Sequence, residues 1–420
     1  MFTGRMHLGW AWVAAAAVAL MAAEAAAGGL DIKVVAGDTD RIDTPVCVEV
    51  PEAKVLAELD MDKQVPLSTL VAQDQLTVTL TGPKGTFPPG QIEVPEDGKA
   101  RLWFVLPKLE AGKTVYFKAM VKRREPKWKK AFEFQDEKGD HLDLLFAGRK
   151  VTRFMYEFED TDDAKKRFPT AKPFTHVFDA ARERVITSPG GSPYPHHRGI
   201  FLGYKVGVNG KRYDFWHVRR VWQRVEEIAE TEAGPVFGQM SAIVKWEIKE
   251  DEPVITEERT ITVYRQDKPE VLLDFVATLR SEAGDLDLGG DPEHAGCQFR
   301  PHPEVAKRGK ETKYVHPPGM KPGRGGTKDM PWSTISFALG DSRFNVAHLN
   351  HPDNPKGTIY SAYRPYGRFG AFAPTKLPAG ESLTLRYRIY VREGKDAALT
   401  VEEAQRLYAD FAHPPTATVE

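Results

Sequence analysis

From Ile32 to Val391 apolar residues return at every second position, in short segments broken by glycine and proline, and seldom at the spacing of a helix. That single habit excludes most folds. A Rossmann or TIM architecture needs a helix between consecutive strands, and the chain has almost none to offer. The period-two segments include Leu76 to Leu80, Ala100 to Leu106, Val115 to Val121, Ile243 to Ile248, Glu257 to Tyr264, Val271 to Leu279, Trp332 to Leu339 and Leu383 to Val391. The fold class expected is all-β, a large antiparallel β-supersandwich preceded by a small β-sandwich. Two segments read as helices. One is Val221 to Ala229, and the other runs from Val401 to Phe411, where Thr400 and Glu403 form a capping pattern.

The 420 residues exceed what one core usually holds, so a division is expected. Residues 1–27 read as a signal peptide, since Arg5 precedes an apolar run from Leu8 to Ala23 and small residues follow. The small sandwich is assigned to 28–125, the large one to 132–394, and a helix and tail to 395–420. A periplasmic or extracellular location is expected, with no stable membrane insertion. Only Cys47 and Cys297 follow the leader, which permits one disulfide at most; two buried small hydrophobes are the preferred reading. A net charge of -1 offers no general attraction to nucleic acid.

Chemistry concentrates in separated segments that share one vocabulary of histidine, arginine and aromatic rings. Ser192 to Arg198 reads Ser-Pro-Tyr-Pro-His-His-Arg, where the prolines stiffen the frame and adjacent histidines take opposite faces. Asp214 to Arg219 brings Trp216, His217 and Arg219, with alternation placing His217 and Arg219 on one face and Trp216 on the other. A glycine-bounded turn carries Glu293, His294, Gln298 and Arg300. His351 and Asn354 lie in an Asx-rich turn after His348, and Tyr363 to Gly370 adds phenols and guanidiniums. Within the strand from Glu257, the Glu258-Arg259 pair stands out because one carboxylate there could face inward.

Arginine forks and amides suit hydroxyls and carboxylates, and aromatic rings suit the apolar face of a sugar. An extracellular sugar or oligosaccharide, acidic in one version, is the partner these residues describe. His197, His294, Glu293 and Tyr194 are the catalytic candidates. His196, Arg198, Trp216, His217, Arg300, His351, Asn354 and Tyr363 are the substrate-binding candidates. Histidine near its ordinary pKa can serve as acid or base, so proton transfer of the lyase or epimerase kind leads. A noncatalytic carbohydrate-binding or envelope protein and a glycoside hydrolase are the alternatives. No cofactor motif is present. The histidines would supply a divalent metal if three converged, but their spacing does not choose the trio.

The segments Pro195-His-His-Arg-Gly, Asp214-Phe-Trp, Asp291-Pro-Glu-His-Ala-Gly with Phe299-Arg, and His351-Pro-Asp-Asn-Pro resemble a secreted bacterial family labelled methane oxygenase PmoA-like. The resemblance spans about Tyr156 to Val391. Oxygenase activity is not expected, because the chain shows neither a later spanning segment nor a copper motif. The family is also distantly similar to galactose-mutarotase-like supersandwiches, which implies histidines and a carboxylate acting on a sugar against one large sheet.

Overall fold

The computed structural model describes residues 28–59, 65–95, 97–123, 130–180, 183–191, 194–394 and 398–420. The expected signal peptide, and Ser192 and Pro193 of the histidine segment, lie outside them. The described chain is dominated by antiparallel strands, as the period-two pattern requires. Two eight-stranded sheets form the large body. The first runs, edge to edge, through Ile359–Tyr360, Phe369–Phe372, Gly296–Phe299, Ile200–Gly203, Phe174–Val177, Arg149–Met155, His141–Phe146 and Phe132–Glu137. The second runs through Trp222–Ala233, Phe237–Lys249, Glu252–Tyr264, Glu270–Ser281, Ser382–Glu393, Ser342–Asn350, Trp332–Leu339 and Lys313–Val315.

One continuous core joins them: Leu144, Phe154 and Phe201 of the first sheet pack with Val244, Ile261, Phe275 and Ile389 of the second. That is the supersandwich. The opposite face of the second sheet is apolar too, through Phe237, Leu272, Trp332 and Leu349. The helix Val401–Ala412 covers it with Ala404 and Leu407. Its start is fixed as expected, because the Thr400 hydroxyl accepts from the Glu403 backbone while the Glu403 carboxylate accepts from the Thr400 backbone.

The other expected helix, Val221 to Ala229, is instead the strand Trp222–Ala233. Its pairing with Phe237–Lys249 slips between Val225 and Glu227 and again between Ile228 and Glu230. Each bulge inserts one residue and resets the alternation, so the packed positions Val225 and Ile228 fall three apart and imitate a helix.

The amino-terminal part forms one seven-stranded antiparallel sheet with its own core of Ile32, Val46, Leu80, Leu102 and Phe104. Two short helices, Glu52–Glu58 and Leu67–Ala72, close that core with Val55 and Leu67. The final strand Thr416–Val419 pairs with Leu30–Val35, so the end of the chain returns to its beginning. A buried ion pair, Arg41 to Asp410 at 2.9 Å, ties this sheet to the carboxy-terminal helix. Cys47 and Cys297 are both free, on different sheets.

A four-stranded sheet of Lys211–Asp214, Lys205–Val208, Leu286–Gly289 and Thr375–Leu377 abuts the first large sheet and places the site. The chain passes from one to the other after Gly203 and back before Gly296, and these glycines are opposite each other. Gly296 has φ +80°, and a Cβ there would fall 2.0 Å from the Ala371 carbonyl oxygen. No side chain fits that crossing. The loops it leaves outside carry the histidines.

Candidate active site and metal centre

Three imidazoles meet where those loops converge. His196 comes from the stretch before Ile200–Gly203, His217 from the turn after Lys211–Asp214, and His294 from the turn before Gly296–Phe299. A ligand atom from each lies within 4.8 Å of the other two. His217 and His294 keep about a quarter of their side-chain surface, at 25% and 24%. The cluster is therefore half-buried yet reachable.

Each of those two rings is held from behind by a carboxylate three residues earlier. His217 Nδ1 lies 2.7 Å from Asp214 Oδ2, and His294 Nδ1 lies 3.0 Å from Asp291 Oδ1. A carboxylate accepts, so Nδ1 donates and Nε2 is left with a lone pair. The carboxylates are fixed in turn. Asp214 Oδ1 accepts from the backbone of Trp216 and His217, and Asp291 Oδ1 from the backbone of Glu293. Burial alone would raise both carboxyl pKa values, but the bonds from the histidines and backbone outweigh it and hold them below the ordinary value.

The third ring, His196, has no such carboxylate, and its buried Nε2 has no hydrogen-bond partner. Burial, then the neighbouring His217, Lys172 and His294, push its pKa down to about 3, so it is neutral. Trp216 stacks on His294 with ring centres 5.6 Å apart and planes at 16°. Backbone strain marks the same place. Val218, β-branched and buried, has φ +51°, a conformation that costs on the order of 1–3 kcal/mol. Its packing with Ala171 and Trp222 holds it there.

The two loops share an anchor that the sequence did not advertise. Lys172 is buried; its Nζ donates to the Trp216 carbonyl at 2.8 Å and to the His196 carbonyl at 3.5 Å, and sits 3.5 Å from the centre of the Phe201 ring. Desolvation, then Arg198 and Arg300, push its pKa well below the ordinary lysine value.

His197 faces a second space. Its ring lies edge-to-face on that of His196, 4.6 Å away at 83°; residues 195–196 form a turn, so the adjacent histidines touch instead of taking opposite faces of an extended strand. A cleft is lined by His197, Tyr194, Tyr366, Arg300, Arg368 and Ser188, among others. The His197 ring lies against Tyr194 and Tyr366, at 4.8 Å and 6.2 Å. Burial, then Arg300, His196 and Arg368, hold its pKa far below the ordinary imidazole value.

Arg300 is buried, with Nη1 donating to Gln298 Oε1 at 2.7 Å, Nη2 donating to the Glu293 carbonyl at 2.9 Å, and Nε unpartnered. Glu293 accepts from the Tyr363 hydroxyl and from Arg364 at 3.2 Å, and pairs with Arg368 at 2.9 Å. Burial opposes its ionisation, but those partners bring its pKa down to about 2. It is a carboxylate, fully engaged.

Residues 141–409 match the profile of a family described as "Family of unknown function (DUF6807)". The chain belongs to this family. Both histidine loops, the cleft and the two large sheets fall almost wholly inside the family's span. No curated protein matches the sequence. Solved structures give a distant likeness. The galactosidase domain of alpha-galactosidase-sucrose kinase, AgaSK, is 10% identical with TM-score 0.27, covering 64% of this chain and 40% of that one. A putative kojibiose phosphorylase from human microbiome is 9% identical with TM-score 0.26, covering 61% and 31%. The GalM/aldose epimerase homologue from C. elegans is 10% identical with TM-score 0.24, covering 63% and 99%. The chain thus spans well under half of the first two. Such likeness is too loose to carry a reaction or substrate across. No helix among the described residues is long and apolar enough to cross a membrane.

Not every family residue singled out in the sequence reaches the cluster. Arg198 turns the other way, donating to the Phe168 carbonyl and lying over the Phe168 ring at 4.9 Å. His351 packs on Phe411 of the carboxy-terminal helix, and its Nδ1 accepts from the Asp353 backbone at 3.3 Å. Asn354 bonds Asn350 and both backbone groups of Arg386. Those bonds hold a loop onto the second sheet. Residues 215–220 form a turn, so strand alternation does not apply, and Trp216 and His217 both touch His294. The inward carboxylate near Arg259 is Glu257, not the exposed Glu258. Glu257 and Arg259, two apart on one face and both 0% exposed, pair at 2.7 Å, with Trp246 donating to the same carboxylate.

Sequence reasoning missed the roles of Asp214, Asp291, Lys172 and Arg368. A signal for the first two was present: Asp214-Phe-Trp-His217 and Asp291-Pro-Glu-His294 repeat one Asp-x-x-His spacing. For Lys172 there was none.

Proposed function

We propose that the protein is an extracytoplasmic carbohydrate-active enzyme that removes a proton from a sugar carbon beside a carboxylate. Lyases and epimerases of acidic sugars share that step. The observation that carries the reading is the placement of the His197 imidazole in a cleft that Arg300 and Arg368 also line. An acidic substrate supplies the charge that this cleft lacks: Arg364 and Arg368 share the single carboxylate of Glu293, and Arg300 reaches only its backbone carbonyl.

In this reading the substrate carboxylate lies against Arg300 and Arg368, with its ring against Tyr194 or Tyr366. The substrate carboxylate offsets the Arg300 and Arg368 charges that, after burial, help hold the His197 pKa down, which lets the imidazole take the proton from the adjacent carbon. The electron pair of the broken C–H bond moves toward the carboxylate, where the guanidiniums stabilise the developing charge. In a lyase the pair then forms a C=C bond, the C–O bond to the leaving sugar breaks, and the Tyr194 hydroxyl protonates the departing oxygen. In an epimerase the carbon takes a proton on its other face. Glu293 positions Arg368 and Tyr363 instead of exchanging protons, and His294 serves the neighbouring cluster.

Two alternatives fit less well. Hydrolysis with two flanking carboxylates finds none among the residues lining the cleft. A sugar-binding surface would present its tryptophan, whereas Trp216 is 3% exposed and stacked on His294. The test is a panel of neutral and acidic oligosaccharides, followed by mass and ultraviolet absorbance. Acidic members are expected to gain unsaturation, or to keep their mass with an inverted centre seen by NMR. Addition of water to neutral members, or no change in any acidic one, overturns the reading.

A further inference from the structure

We infer that His196, His217 and His294 bind one divalent transition-metal ion, with Asp214 and Asp291 as the outer carboxylates and a fourth coordination position left open. The inference is independent of the substrate assigned above. It begins with three imidazoles whose nitrogens point at a common place from separate loops, within 4.8 Å of one another. Packing alone gives little reason for this. His351, which caps a turn, spends Nδ1 on the Asp353 backbone, and the core histidine His348, whose Nε2 is unpartnered, belongs to no such trio among the described residues. Here Nδ1 of His217 and of His294 is engaged by a carboxylate behind the ring, and Nε2 is the atom left for the centre.

That arrangement is the carboxylate–histidine pair which fixes the tautomer of a metal ligand and makes its free nitrogen more basic. It occurs twice, with the same three-residue spacing, on neighbouring loops. The third ring contributes a buried nitrogen with no partner. Trp216 closes one side, stacked on His294, and Lys172 holds the loops of His196 and Trp216 by their carbonyls. Every part of the frame is held except the point at which the rings aim.

The donor set selects the ion. Three neutral nitrogens without a carboxylate oxygen in the first shell suit zinc, copper, nickel or ferrous iron, and do not suit magnesium or calcium. On a tetrahedral ion with Zn–N distances near 2.0–2.1 Å the nitrogens stand about 3.3 Å apart. The rings therefore close by roughly an ångström and a half at most, within reach of small side-chain rotations. Three protein ligands leave a position for water or a substrate oxygen, the pattern of catalytic and not structural zinc sites. His196 touches His197 at 4.6 Å, so an ion held by this trio is next to the cleft.

The experiment reads metal binding without substrate. Purified protein, stripped with chelator and dialysed, is titrated with Zn²⁺ and with Co²⁺, following heat and the cobalt visible spectrum, and metal content is measured by plasma mass spectrometry. One ion per chain is expected, with a cobalt spectrum of nitrogen-rich, low-coordinate geometry. His217→Ala and His294→Ala are expected to lose stoichiometric binding. Asp214→Asn, which keeps size and leaves the ring in place, is expected to weaken affinity about 10- to 100-fold with unchanged circular dichroism. Failure of the folded protein to bind either ion at micromolar concentration overturns the inference, as does undiminished binding in folded His217→Ala. Because no sugar is present, either result leaves the acidic-sugar reading to its own test.

Discussion

Two histidine-rich regions of this chain look alike in sequence and differ in how their nitrogens are placed: His348 Nε2 is buried and unpartnered, as His196 Nε2 is, but among the described residues only the region of His196 gathers three imidazoles. Around His348, His351 and Asn354, polar groups are turned toward the protein itself. His348 lies among Tyr360, Phe369 and Tyr387, with Nδ1 3.3 Å from the Tyr360 hydroxyl, His351 rests on Phe411, and Asn354 clamps Arg386. Around His196, His217 and His294, outer partners hold the rings while the inner nitrogens point at one another. The difference teaches that residue type marks a polar region, and the direction of its unspent donors and acceptors marks a site. The first region braces the fold; the second is where we infer that an ion binds.

Substitutions can break that contrast. The largest effect is expected from His197→Ala, beside the second region: turnover of an acidic oligosaccharide falls by about 10²- to 10⁴-fold, the range for a general base, while zinc stoichiometry persists. Steady-state kinetics beside metal analysis measure both. In the first region, Asn354→Ala removes the bonds to Arg386 and Asn350, and unfolding free energy is expected to fall by about 2–3 kcal/mol in urea titration. Its turnover and metal content remain those of the parent. If Asn354→Ala lowers turnover as much as His197→Ala does, the two regions are not separate. Asp291→Asn comes next, with zinc affinity reduced about 10- to 100-fold by calorimetry and little change in melting temperature.

The smallest effect lies outside both regions and serves as their control. Glu232 accepts from Gln91 at 2.8 Å where the amino-terminal sheet meets the large body. Burial raises its pKa from 4.5 to about 7. The folded carboxyl thus holds its proton to higher pH than the unfolded one does. Its contribution is fully present below pH 4.5 and is lost as pH rises through about 7. Glu232→Gln is expected to gain on the order of 1 kcal/mol over the parent at pH 8 and nothing at pH 5. Thermal melts at the two pH values check it.

Much of the fold was legible because period-two burial is a local property that each segment displays. The sandwich layers follow from it, and the carboxy-terminal helix was legible from its own helical spacing and capping pattern. Trp222–Ala233 misled because two bulges altered its phase, and a bulge depends on the partner strand. The site was half legible. His196, His197, His217, Glu293, His294 and Arg300 were marked by their residue types, yet nothing local tells that Arg198 turns to Phe168 while Arg300 turns to the cleft. Lys172 reads as an ordinary surface lysine until the fold buries it against Phe201. Arg368 and Tyr366 matter only through what the long connection after Ser342–Asn350 brings beside them.

Proton removal from the carbon beside a sugar carboxylate is the central claim, and exchange with solvent reads it directly. Acidic and neutral oligosaccharides are incubated with the protein in D₂O and followed by mass spectrometry and proton NMR. The account predicts that an acidic sugar either takes up deuterium at that carbon or loses its proton to become unsaturated, that neutral sugars do neither, and that His197→Ala abolishes both. Retention of that proton in every acidic sugar, or equal exchange by His197→Ala, would contradict it.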